Sequence, residues 1–251
     1  MPQNNPNNHS AIGIIRGQSK LTDGNMSFAR GDISETVDNR RRFLRKQGLE
    51  LENLVAAGLV HGANCEAADK YHRGRGAFLL KDAIPGADAL VTTESGLILT
   101  VTTADCLPVF IWSDDGMVAG IAHAGWKGLA GRVVENLIKA ARKVHSIPLN
   151  RFHIHIGAGI GPCCYVVDKE RLKKFIGYPM CEIHWREGET AHLNLNAIVK
   201  VQARRQGVPE ENVTVTDECT CCGDNYPSYR RDGENLKPDL AFIVKREFTN
   251  Q

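Results

Sequence analysis

No apolar run in this sequence approaches the roughly 18 residues that a membrane-spanning helix needs. The first ten residues, Met1 to Ser10, are mostly Asn and Pro and lack the apolar stretch of an export signal. An excess of one charge is also missing: 31 Lys and Arg stand against 29 Asp and Glu, for a formal net charge of +2. These absences argue against a membrane span, against export, and against nucleic acid or an anionic membrane as partner. The basic run Arg40-Arg41-Arg42 is local and, by itself, reads as a solvated helix face. No internal repeat and no linker divides the chain, so residues 11–251 are expected to form one domain behind a disordered tail, residues 1–10. The expected compartment is the cytoplasm, where thiols stay reduced. The eight cysteines are therefore candidates for metal ligation or catalysis rather than disulfides.

A hydrophobic fraction of 42% suffices for a sizeable core. Strands are predicted at 11–16, 53–61, 97–101, 107–112, 117–123, 152–156, 212–216 and 240–245, where β-branched and aliphatic residues cluster between turn signals. Helices are predicted at 34–47, 132–144, 168–176 and 195–206, where apolar residues recur at helical spacing. The result is a mixed α/β domain. Asp114-Asp115-Gly116 marks a turn, and a Ser113–Gly116 loop would pair Trp112 with Met117. That register places Cys106 directly opposite His123, close enough to share a metal ion. Pro108 points to an edge or bulged position for its strand.

His61, Cys106 and His123 fall at or near predicted strand ends. A His₂Cys set can hold zinc tetrahedrally with a fourth position open, and a water there can become a nucleophile near neutral pH. Copper is the less favoured metal: a blue-copper site usually adds an axial Met, and none of the four methionines neighbours these residues. The segment Gly120–Leu129 (GIAHAGWKGL) adds a turn into a helix, with Gly125 and Gly128 amides and the Lys127 charge suited to an anion.

Five segments in this order resemble one family: VHG at His61, TADCLPV around Cys106, AHAGWKG around His123, GIGPCCYVV near Cys164, and SYRRDG near Arg230. It is the laccase-domain, polyphenol-oxidase-like family, whose members are also described as purine nucleoside phosphorylases, and the resemblance spans roughly Gly24 to Asp232. It implies a single α/β domain of the YfiH-like cysteine-hydrolase type, with mixed sheets flanked by helices. It also implies zinc on His61, Cys106 and His123, and phosphorolysis of adenosine, inosine, guanosine and methylthioadenosine together with adenosine deamination. Arg40, in Asp38-Asn39-Arg40, matches a family arginine that faces the site, and is expected to bind phosphate or substrate. Arg230 and Arg231 are expected either to contact substrate or to pair with carboxylates.

The chain departs from the family pattern at Leu59, where Gln is usual, at Lys127, where Arg is usual, in the Arg16–Ser19 segment and at Glu234-Asn235. These changes bear on substrate range. The zinc deaminase signature H-x-E with P-C-x-x-C is absent, so a deamination would take its proton shuttle from elsewhere, with Asp105 and Cys106 as candidates. Two other readings stay open. Cys106 can be a nucleophile activated by His123 without metal, or the protein can be a non-catalytic zinc or partner binder. Cys163, Cys164, Cys219, Cys221 and Cys222 allow a second, structural metal site, but adjacent cysteines and C-x-C spacing favour small buried residues instead.

Overall fold

A computed structural model describes residues 11–187 and 190–248; the expected tail at 1–10 lies outside them. In chain order the strands are β1 (Ala11–Gln18), β2 (Leu54–Gly58), β3 (Cys65–Ala67), β4 (Ile84–Pro85), β5 (Ala89–Thr92), β6 (Ile98–Thr103), β7 (Leu107–Ser113), β8 (Ala119–Ala124), β9 (Phe152–Ile156), β10 (Val166–Val167), β11 (His184–Glu187), β12 (Thr190–Leu193), β13 (Val213–Val215) and β14 (Asp239–Phe248). The helices are α1 (Ile33–Arg45), α2 (Trp126–Ala130), α3 (Val133–Val144), α4 (Lys169–Lys173), α5 (Met180–Ile183), α6 (Leu195–Gln206) and α7 (Tyr229–Asp232).

Two mixed sheets, β1-β14-β6-β2-β4 and β13-β9-β7-β8-β5-β3, stack face to face, and a small third sheet, β10-β12-β11, adds Val167, Ala191 and Leu193 to the core of the second. The alternation of β14 explains the stacking. Leu240, Phe242 and Val244 pack under α1 with Phe43 and Leu44, while Ala241 and Ile243 face the second sheet with Phe110 and Ile121. The far face of the second sheet is covered by α3 and α6, through Val134, Leu137, Ile138, Ile198 and Val199. Helix α1 is capped by Asp32, whose carboxylate accepts the Glu35 N–H, and α6 by Asn194, which accepts from Ala197. Gly207, at φ 90°, ends α6 in the left-handed conformation that glycine adopts without strain. Among the described residues no helix is long and apolar enough to cross a membrane.

The expected hairpin forms in a different register. Trp112 pairs with Ala119 and Pro108 with His123, a shift of two residues that puts Cys106 across from Gly125. The turn closes later than the glycine signal suggests, because Ser113 N–H bonds Val118 O, Ser113 Oγ accepts the Val118 N–H, and Asp115 accepts from Met117 N–H. A shift of two keeps every side chain on its face, so the core pattern survives while the site geometry changes. Nor is β7 an edge: it lies between β9 and β8. Pro108 is tolerated because its missing N–H falls on the β9 side beyond the last paired residues, Val109 and Ile156, where its carbonyl accepts from Gly157.

Candidate metal centre

The site forms where the chain crosses from one stacked sheet to the other. After β6 leaves the first sheet, Ala104-Asp105-Cys106 leads into β7 of the second. His61 lies three residues past the end of β2, beyond the strand expected to carry it, and His123 sits inside β8. One donor atom from each of His61, Cys106 and His123 lies within 4.8 Å of the other two. The imidazoles of His61 and His123 meet edge to face, with centroids 4.8 Å apart.

The backbone is strained on both sides of this cluster. His61 and Asp105 hold φ of 59° and 78°, a region that residues with a Cβ rarely occupy. Asp105 is held firmly there: its Oδ1 accepts from Thr220 Oγ1, its Oδ2 from the Arg230 N–H (both 2.7 Å), and its carbonyl from Ile160 N–H. With both carboxylate oxygens engaged, Asp105 positions Cys106 and is a poor candidate for a mobile proton shuttle. Gly125 is required by contact, since a Cβ there would lie 2.6 Å from Cys106 Sγ.

Asp88, just ahead of β5, is the residue that sequence reading missed. Fully buried, it bonds Gly62 N–H through Oδ2 (2.7 Å) and meets His123 Nδ1 through Oδ1 (3.4 Å). Burial pushes its carboxyl up, yet His123 and the Gly62 amide outweigh this and hold it below the usual carboxylate range. Burial likewise pushes His123 down, but Cys106 and Asp88 raise it to about 10. His61 is lowered, first by burial and then by His123. A carboxylate inside the apolar run Ala87-Asp88-Ala89-Leu90 was the available signal, because a buried charge needs a partner.

The three residues open onto a cleft of about 630 Å³, a size suited to a small ligand. Trp126, Tyr165 and Tyr229 supply its aromatic surface and Lys127, Arg171 and Arg230 its positive charge. Arg171 stacks over Trp126 at 4.8 Å and reaches Tyr165 at 5.9 Å. The cation from α4 was not among the expected site residues, and only the tertiary fold brings it here. Arg230 bonds the carbonyls of Cys164 and Val166. Arg231 turns instead to the Tyr226 carbonyl and the Asp232 carboxylate.

Three expected contacts are corrected. Arg40 is buried and does not line the cleft: its Nε and Nη1 donate to the carbonyls of Met26 and Gly76 (2.8 Å each), and its guanidinium lies 4.2 Å from the Phe28 ring. Burial lowers its pKa to about 9. Gly125 and Gly128 are buried spacers outside the cleft lining, and a Cβ on Gly128 would come within 2.8 Å of the Gly62 carbonyl. Lys127 and Arg230 do line it.

The family described as multi-copper polyphenol oxidoreductase laccase matches residues 13–244. The chain belongs to this family. It is 35% identical over 223 residues to a Geobacillus stearothermophilus protein named purine nucleoside phosphorylase YlmD, covering 86% of this chain and 81% of that one. It is 26% identical over 240 residues to a protein of an unknown prokaryotic organism named adenosine deaminase RL5, covering 93% and 91%. The crystal structure of the G. stearothermophilus YlmD superposes with a TM-score of 0.89 at 32% identity, covering 94% of this chain and 93% of that one. The hypothetical protein YfiH of Bacillus licheniformis, at 24% identity and a TM-score of 0.88, shares the fold over 92% of each chain.

The laccase domain thus presents, in this chain, a two-nitrogen, one-sulfur donor set. Its donors are close enough for one ion and lie at a cleft with room for a ligand, and Asp88 orients one imidazole from behind. This donor chemistry fits zinc.

Proposed function

We propose that this chain is a zinc-dependent purine nucleoside phosphorylase of broad range, acting on adenosine, inosine, guanosine and methylthioadenosine, with adenosine deaminase activity. The observation that carries the reading is the meeting of the His61, Cys106 and His123 donors at a cleft with both aromatic and cationic walls. The relatives named purine nucleoside phosphorylase and adenosine deaminase support it.

In this reading His61, Cys106 and His123 hold the ion, which supplies Lewis-acid stabilisation of developing negative charge. Lys127, Arg171 and Arg230 bind phosphate, and their positive charge offsets its repulsion from the Cys106 thiolate. Trp126 and Tyr165 offer flat surfaces against which a purine stacks, which fixes the ribose C1′ between base and phosphate. Attack by phosphate oxygen on C1′ breaks the bond to the base nitrogen, and the electron pair leaves with the base. Asp88 keeps Nδ1 of His123 occupied and so leaves Nε2 for the ion. Purine nucleosides and phosphate are the partners, and the reduced thiols fit a cytoplasmic setting.

A second reading draws on the Asp88–His123–Cys106 order itself, since an acid, an imidazole and a thiol in series is the arrangement of a metal-free cysteine hydrolase. Copper polyphenol oxidase chemistry is less favoured: among the described residues, no Met lines the cleft. The deciding experiment measures adenosine and inosine turnover with and without phosphate, in wild type and Cys106→Ala, with bound metal quantified on the same samples. Phosphate-dependent release of free base, lost together with zinc in the variant, supports the phosphorylase. Absence of turnover in zinc-loaded protein removes the purine reading. Activity that survives chelation but not thiol alkylation moves the hydrolase ahead.

A further inference from the structure

Outside the cleft, four more cysteines converge. The sulfurs of Cys163, Cys164, Cys219 and Cys222 all lie within 4.8 Å of one another, and those of Cys163 and Cys222 are 3.4 Å apart. A tetrahedral zinc with Zn–S bonds of about 2.3 Å requires sulfurs about 3.8 Å from each other, so the four already stand near the corners that such an ion needs. We propose that these four cysteines form a second, structural zinc site.

The objection from spacing dissolves in the structure. Cys219-Thr220-Cys221-Cys222 is itself a C-x-x-C turn followed by Gly223, whose N–H bonds the Cys219 carbonyl and closes it. Cys221 is the extra residue inside the turn; it packs against the core and belongs to no ligand set. Cys163 and Cys164 are neighbours, which in an extended strand would face opposite ways. Here they lie in a tight turn in which the N–H groups of Cys164 and Tyr165 both bond the Gly161 carbonyl, and both sulfurs reach the same cluster.

The backbone amide of Gly161 donates to Cys219 Sγ at 3.1 Å. Amides aimed at a sulfur stabilise its negative charge, the form that binds metal. Gly161 leaves the room: a Cβ there would come within 3.0 Å of Cys219 Cβ and 3.1 Å of Cys163 Sγ. On binding, the four thiols give four protons to solvent and four sulfur lone pairs to the ion. A disulfide is the weaker use of this cluster. It would pair two sulfurs, require an oxidant, and leave the amide-bonded Cys219 or its neighbours without a role.

The ion would clip the 161–164 turn to the 219–223 turn, and both support the cleft. Arg230 bonds the Cys164 carbonyl, and Thr220 holds the Asp105 carboxylate beside Cys106. The two metal sites are therefore mechanically linked, although no ligand is shared.

The test uses full-length protein purified under reducing conditions, loaded with zinc or with cobalt(II) and dialysed. His61→Ala/Cys106→Ala, which lacks two of the three cleft donors, is expected to keep a tightly held zinc ion and to show the visible and charge-transfer bands of a four-thiolate cobalt site. Adding Cys219→Ser/Cys222→Ser is expected to abolish both. If the added substitutions prevent folding, the wild-type cobalt spectrum decides: four-thiolate bands support the site, and bands of the two-nitrogen, one-sulfur set alone overturn it. The proposal is also overturned if His61→Ala/Cys106→Ala retains no metal with all four thiols reduced, or if protein isolated without reductant carries a disulfide among them instead of zinc.

Discussion

Asp88 reaches His123 Nδ1 at 3.4 Å with one carboxylate oxygen and the amide beside His61, that of Gly62, at 2.7 Å with the other. One buried side chain thus sets the orientation of one imidazole and the backbone that carries another. Coupling of this kind is common behind metal-ligating histidines, where the outer partner fixes tautomer and ring angle.

Asp88→Asn keeps the volume and removes the charge. Metal affinity is expected to fall about 10- to 100-fold, measured by competition with a chromophoric chelator. An unchanged affinity would mean that Asp88 serves only to hold the loop.

Gly125→Ala tests the close approach of the thiol. The backbone of Gly125, at φ −77°, accepts alanine, so the cost is the contact with Cys106 Sγ. Metal affinity is expected to fall at least about tenfold, with a loss of folding stability of only about 1–3 kcal/mol. Zinc titration beside urea unfolding reads both, and a stable protein with wild-type zinc affinity would sink the idea.

Arg171→Ala removes a cation that no sequence motif announced. If it binds phosphate, KM for phosphate rises about tenfold, roughly 1.4 kcal/mol, while KM for the nucleoside changes less. Equal increases in both would assign Arg171 to stacking on Trp126 rather than to the anion.

Asp239 supplies a pH dependence. Burial raises its carboxyl to about 7, despite bonds from Thr103 and Gln18 that lower it. Because the folded value lies above the unfolded one, its favourable contribution is fully present below about pH 4 and is lost as pH rises through 7, by on the order of 2–4 kcal/mol. The urea midpoint of wild type is expected to fall between pH 5 and pH 8 more steeply than that of Asp239→Asn. Parallel slopes for the two proteins would refute it.

Much of this was legible locally. Helix α6 spans Leu195–Gln206 as its sequence reads, and the Asn194 cap and Gly207 stop that the structure shows at its ends act within a turn or two of chain. The strand faces were legible too, since alternation has period 2 and survives a register shift of two. His61, Cys106 and His123 stood out as donors, and the family motifs around them are short and contiguous.

Tertiary structure decided the rest. The register of β7 on β8 depends on how Ser113 and Asp115 close their turn, and so Cys106 faces Gly125 while reaching His123 from the crossing between sheets. Arg40 was drawn inward by the Met26 and Gly76 carbonyls, partners remote in sequence. Asp88 and Arg171 acquire meaning only from neighbours that the fold supplies, and the fold likewise selects four sulfurs from the five cysteines that the sequence offered. Residue type and periodicity are properties of a segment, and the sequence by itself determined those. Which donor meets which partner depends on contacts between segments far apart in the chain, and only the packed sheets could decide that.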